Sequence, residues 1–152
     1  MSDLKDICSD AGFGEVQTYI ASGNVVLRSS LPEKKVKAML ETRLESATGR
    51  RVGVLVRSLG EITEVLRSNP YPNALQNRTV AIFLDKAPSK GALEAAKGCA
   101  GEEMCLGVRE IYVHYPSGIG ASKLKIPEAV LGTARNMNTV AKLAEMAMKM
   151  DE

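Results

Sequence analysis

Thr18-Tyr19-Ile20-Ala21-Ser22-Gly23-Asn24-Val25-Val26 reads as a strand, a tight turn and a second strand. Val16, Thr18 and Ile20 recur at period two and share one face, and Ser22-Gly23-Asn24 offers residues that tolerate positive φ. The second strand runs from Val25 to Arg28. On either side of this hairpin the period lengthens to that of a helix. Leu4, Ile7, Cys8 and Ala11 fall at i, i+3, i+4 and i+7, with Ser2 as a possible N-cap and Gly12 as a left-handed stop. Beyond it, Pro32 suits a first helical turn, and Val36, Met39, Leu40, Arg43, Leu44 and Ala47 form one stripe closed by Gly49. Arg43 must snorkel out of that stripe.

The same alternation of periods continues along the chain. Val52 to Arg57 reads as a strand, and Ser58-Leu59-Gly60-Glu61 has the Ser-x-x-Glu form of a capping box, opening a helix with Ile62, Val65 and Leu66 inward. Asn69-Pro70-Tyr71-Pro72 ends that helix, because proline disfavours the α region in its predecessor. Asn69 to Arg78 is rich in proline and asparagine and is the expected domain boundary, dividing 1–69 from 79–152. After it, Val80, Ile82 and Leu84 alternate with Ala81, Phe83 and Asp85 as a strand, and Pro88-Ser89 begins a helix running to Gly98. Met104 to Leu106 and Ile111 to Tyr115 form a second hairpin. Leu124 to Leu131 reads as a short helix interrupted by Pro127, and Val140, Leu143, Ala144 and Ala147 mark a last helix capped by Asn136 or Asn138. Helix, hairpin, helix in each half is the order of a split β-α-β. The expected fold class is therefore α+β, with two ferredoxin-like plait units.

A second pair of stretches accompanies the hairpin: Ser122-Lys123-Leu124, and Thr133-Ala134-Arg135-Asn136-Met137-Asn138-Thr139. With His114-Tyr115-Pro116 they resemble the bacterial family known as domain of unknown function 1697, over Met1 to about Met148. The resemblance implies the plait fold and carries no established activity. It also implies a first strand ahead of the first helix, of the form Leu-Leu-Arg-Gly-Ile-Asn-Val-Gly-Gly, which this sequence does not contain, so the first unit is expected to lack its initial strand through a late gene start or a truncation. Relatives commonly carry tryptophan where Met137 stands.

Composition narrows the function classes. The 152 residues are 45% hydrophobic and 25% charged, average for a globular protein. Twenty basic residues nearly cancel eighteen acidic ones, so the large positive field that drives non-specific nucleic-acid binding is missing. Cys8, Cys99 and Cys105 are odd in number and lack Cys-x-x-Cys spacing, which points to free thiols in a cytoplasmic protein. No apolar run approaches the roughly 20 residues of a membrane span.

The chemistry-bearing residues concentrate in the second half. Ser117-Gly118-Ile119-Gly120-Ala121-Ser122-Lys123 follows a strand and precedes a helix, a setting in which backbone amides can cradle an anion. It lacks the Gly-Lys-Ser/Thr of a P-loop and the third glycine of a dinucleotide fingerprint, so a plain tight connection is the competing account. Lys123, Arg135, Asn136 and Asn138 are multi-donor side chains, the last three beside a helix N-terminus that would suit a phosphate or carboxylate; the alternative is capping by the asparagines and a surface ion pair for the arginine. An anionic or nucleotide-like ligand held by Gly118, Gly120, Ser122, Lys123, Arg135, Asn136 and Asn138 is the functional expectation. Secondary candidates are Ser22 and Asn24 in the first turn, and His114, which with Ser117 or Ser122 could support a hydrolase or transferase. An RNA-binding or protein-interaction module is the other alternative. No zinc ligand set can be assembled, and no cofactor is implied.

Overall fold

The computed structural model describes residues 2–19, 24–50, 53–71, 76–99, 101–118, 122–129 and 132–150. Two compact units emerge, Met1–Ile62 with Lys142–Glu152, and Thr63–Ala141. The first holds α1 (Ser2–Asp10), the antiparallel pair β1 (Gly14–Tyr19) and β2 (Asn24–Arg28), and α2 (Glu33–Thr48). Gly49, at φ 74, donates its N–H to Glu45 O and stops α2 as its left-handed cap. Cys8, Phe13, Val16, Val36 and Leu40 make the core, with Val54 and Val56 packed against it. The Ser58 box is realised at the start of α3 (Leu59–Arg67): Ser58 N–H donates to Glu61 Oε1 at 2.8 Å, and Glu61 N–H donates to Ser58 Oγ at 3.2 Å.

The strand expected at Val52 to Arg57 is corrected. Val52 lies outside the described residues, and Gly53 to Ser58 run without a ladder. Val54 instead meets the Lys37–Glu41 pair of α2: its N–H donates to Glu41 Oε2 at 3.1 Å, and Lys37 Nζ donates to its carbonyl at 2.6 Å. Side chains have taken over the backbone bonds that a neighbouring strand would supply.

The second unit is built on β3 (Thr79–Phe83), β4 (Glu103–Leu106), β5 (Glu110–His114) and β6 (Thr133–Asn136), in the order β4-β5-β3-β6 with every pair antiparallel. One sheet face buries Val80, Ile82, Ile111 and Val113 against Ala92 and Ile126. Two expectations need correction here. The helix expected from Pro88 to Gly98 is a series of turns, with Ala92 N–H bonded to Ser89 O and Ala95 N–H to Gly91 O; Gly91 weakens its start, and Lys97 is drawn into an extended bridge at its end. Leu124 to Leu131 keeps only a 3-10 turn at Pro127–Ala129, because Pro127 lacks an N–H and biases Ile126 away from α; Val130 and Leu131 lie outside the described residues. Thr133 to Asn136, to which the sequence pattern assigns no element, pairs with β3 as an edge strand. That helix, α4 (Met137–Met150), is capped by Asn136, whose Oδ1 accepts the Thr139 N–H at 2.9 Å.

The opposite sheet face mixes polar and apolar side chains and is covered as well. Thr79, Ala81, Phe83, Glu110 and Tyr112 are all buried, and the Tyr112 hydroxyl donates to Val65 O at 2.8 Å. Burial, reinforced by Glu110, Cys105 and Glu64, pushes the Tyr112 phenol up to about 12 from 10.0. A raised folded-state pKa means that stability is intact below pH 10 and falls as pH climbs from there through about 12, since the unfolded chain releases its proton first. At about 1.4 kcal/mol per pH unit, this residue alone should account for a loss of about 3 kcal/mol. Urea denaturation between pH 8 and 12 checks it: Tyr112→Phe should flatten the alkaline decline, and an unchanged slope would refute the assignment.

Candidate functional site

Alternation along residues 122–126 builds the site. Leu124 and Ile126 pack into the sheet core, so Lys123 and Lys125 face outward, and both are exposed. Lys97 approaches from the turn segment. Its N–H donates to Lys125 O at 2.8 Å, and the Lys125 N–H donates to Lys97 O at 2.7 Å, a two-bond antiparallel bridge. Such a pair holds its Cα atoms about 5.5 Å apart with both side chains on one face, and Lys123, two residues along, joins them at about 7 Å. Among the described residues none of the three has a carboxylate partner. Like charges directly opposite each other are unfavourable, so the cluster has an electrostatic deficit that an anion would relieve. Gly98 lets the segments meet: at φ 75 it lies so close that a Cβ would collide with the Lys123 carbonyl oxygen.

The other expected residues distribute as follows. Gly118 has φ 86 and closes a turn through its N–H to Tyr115 O, while Gly120 lies outside the described residues. Ser122 Oγ accepts the Leu124 N–H at 3.1 Å, which fixes the backbone entering the lysine pair. Arg135 pairs with Ala81 in register and so shares the sheet face of Tyr112, the opposite face from the one Leu124 and Ile126 cover. Burial pulls its guanidinium pKa down, and its Nη1 donates to Ala134 O at 2.9 Å. Lys123 and Arg135 are thus set on opposite sides of the sheet. Asn136 is occupied as the cap of α4, and Asn138 is exposed in its first turn. Ser22 lies outside the described residues; Asn24 is buried and donates from Nδ2 to Tyr19 O at 3.2 Å.

His114 belongs to a separate group. Its Nδ1 is 3.1 Å from Thr79 Oγ1, and the Tyr71 ring is tilted at 41° with its centroid 6.1 Å away. Thr79 is fully buried, so this pair offers no accessible nucleophile. Burial, with Cys105 and Glu103 nearby, pushes Tyr71 up to about 12, leaving it a hydroxyl at neutral pH. Among the described residues no group of three His, Cys, Asp or Glu could hold a metal, and no helix is long and apolar enough to cross a membrane.

Sequence reasoning missed Lys97 and Lys125. The Lys-Leu-Lys-Ile alternation at 123–126 was the available signal, hidden because Pro127 and its neighbours were read as a helix.

The family described as protein of unknown function DUF1697 matches residues 1–112. Among solved structures the chain is similar to a conserved bacterial protein from Streptococcus pneumoniae, with a TM-score of 0.80 at 21% identity, over 97% of this chain and 88% of that one. That likeness is one of fold. No curated protein matches.

Proposed function

The chain belongs to the DUF1697 family of proteins of unknown function, and from that premise we propose that it binds a small anionic, phosphate-bearing ligand through Lys97, Lys123 and Lys125. The observation that carries this reading is the two-bond Lys97–Lys125 bridge, which fixes two ammonium stems opposite each other with a third alongside. Ser122, whose Oγ accepts the Leu124 N–H, leads directly into Lys123. Arg135, Asn136 and Asn138 fall outside this site. Burial of Phe83 and Tyr112 weighs against a base-stacking RNA platform on the sheet.

We also read the second unit as a ferredoxin-like plait. The antiparallel β4-β5-β3-β6 order supports it, with the two crossovers reduced to turns and a 3-10 segment. The hairpin flanked by α1 and α2 in the first unit follows part of the same order.

A thermal-shift series with phosphate, pyrophosphate, sugar phosphates and nucleotides tests the binding reading. At 100 times its dissociation constant a ligand adds about 2.7 kcal/mol. The triple variant Lys97→Ala, Lys123→Ala, Lys125→Ala should lose that shift, while Arg135→Ala keeps it. Retention by the triple variant, or no shift with any anion, would overturn the site.

A further inference from the structure

Two connecting segments of the second unit, residues 85–99 after β3 and residues 122–129 ahead of β6, are tied to each other at two places. One tie is the Lys97–Lys125 bridge, made by backbone alone. The other joins Ser89 to Glu128, 39 positions apart in sequence. The Ser89 N–H donates to Glu128 Oε2 at 2.9 Å, and the Ser89 hydroxyl donates to Glu128 Oε1. Both oxygens of the carboxylate thus meet one residue. These bonds, the hydroxyl's foremost, hold the Glu128 carboxyl below its ordinary value of 4.5. Between the ties each segment sends a buried side chain into the core, Ala92 from one and Ile126 from the other. Two backbone bonds between exposed segments are marginal by themselves, and the turns of 89–95 have no helical ladder to fix Lys97 from its own side. A second tie lowers the entropy cost of the first, because the ring they close is short, from 89 to 97 on one segment and from 125 to 128 on the other.

We infer that Ser89 and Glu128 are positioning residues of the lysine site. Their clasp holds the two segments together, so that Lys97 stays opposite Lys125 with Lys123 alongside. The inference rests on the anion-binding reading for its functional consequence, whereas the mechanical link between clasp and bridge stands without a ligand. Neither side chain touches the anion. A carboxylate three positions from Lys125 would by charge alone repel one, so the clasp and the plain electrostatic account predict opposite signs when Glu128 is removed. Charge alone requires tighter anion binding after Glu128→Ala; the clasp requires weaker.

Amide hydrogen exchange by NMR, without ligand, tests the mechanical link. Ser89→Ala and Glu128→Ala should each speed exchange at the Lys97 and Lys125 amides about three- to tenfold, the effect of a single hydrogen bond, and leave the β3 and β5 amides as they were. Ser89→Thr, which keeps both donors, should restore the slow rate. Titration with pyrophosphate tests the consequence: its dissociation constant should rise by a similar factor in Ser89→Ala and Glu128→Ala and return with Ser89→Thr. Circular dichroism verifies that the variants, both at exposed positions, remain folded. Unchanged exchange at Lys97 and Lys125, exchange that quickens equally across the whole sheet, or tighter pyrophosphate binding by Glu128→Ala would overturn the inference. Failure of the unaltered chain to bind any anion would overturn the lysine site, and with it the positioning role, whatever the exchange rates show.

Discussion

Ile111→Ala is expected to destabilise the second unit by about 2–5 kcal/mol, the range for truncating a large aliphatic side chain where the surroundings cannot collapse. Ile111 is fully buried in β5, flanked in register by Ile82 on β3 and Leu106 on β4. Strands on both sides fix its backbone, so the vacated volume stays open. Set against a domain stability of roughly 5–15 kcal/mol, that loss is a large fraction. Urea denaturation, with hydrogen exchange at the β3 and β5 amides as the local probe, measures it. Val108, 74% exposed in the hairpin loop, supplies the contrast: Val108→Ala should change stability by less than about 0.5 kcal/mol. Equal effects at the two positions would refute the account of the core.

What could be read from the sequence follows a physical division. Elements specified locally were legible. The β1–β2 and β4–β5 hairpins, the Gly49 stop, the Ser58–Glu61 box and the Asn136 cap each rest on side-chain chemistry within a few residues. Elements decided by distant partners were not. Gly53 to Ser58 has strand composition but finds the Lys37–Glu41 pair instead of a strand, and Thr133 to Asn136 becomes a strand only because β3 offers an edge. The turns at Lys90–Ala95 keep the helical stripe of Ala92, Leu93 and Ala96 against the core, so the burial pattern was correct where the hydrogen bonding was not. The candidate site divides in the same way. Lys123 was visible as a cation after a glycine-rich segment, whereas its grouping with Lys97 depends on a bridge spanning twenty-eight residues, from 97 to 125. Arg135 looked like a companion of Lys123 because both are multi-donor side chains near loop ends of the same half; strand register, invisible in one sequence, sets it on the other sheet face.

That bridge makes Gly98 the most sensitive small residue in the second unit. It has φ 75, and a Cβ there would overlap the Lys123 carbonyl oxygen and sit 2.9 Å from its carbon. Backbone on both sides leaves no rotamer to absorb the collision. Gly98→Ala should therefore incur about 1–2 kcal/mol for the left-handed backbone, and in addition loosen two hydrogen bonds worth about 0.5–1.5 kcal/mol each, a total of about 3 kcal/mol. Gly101 separates the two contributions, because at φ 94 it has the same backbone requirement with nothing within 4 Å of a Cβ. Gly101→Ala should lose only the first part. The difference between the variants, read by denaturation in the absence of ligand, isolates the close approach. If Gly98→Ala folds, Lys97 is no longer held opposite Lys125, and the stabilisation by phosphate-bearing ligands should fall toward that of the triple lysine variant, whereas Gly101→Ala should keep it in full. Equal losses of stability in the two variants would show that the segments part easily, and an undiminished ligand shift in Gly98→Ala would show that the bridge does not organise the lysines.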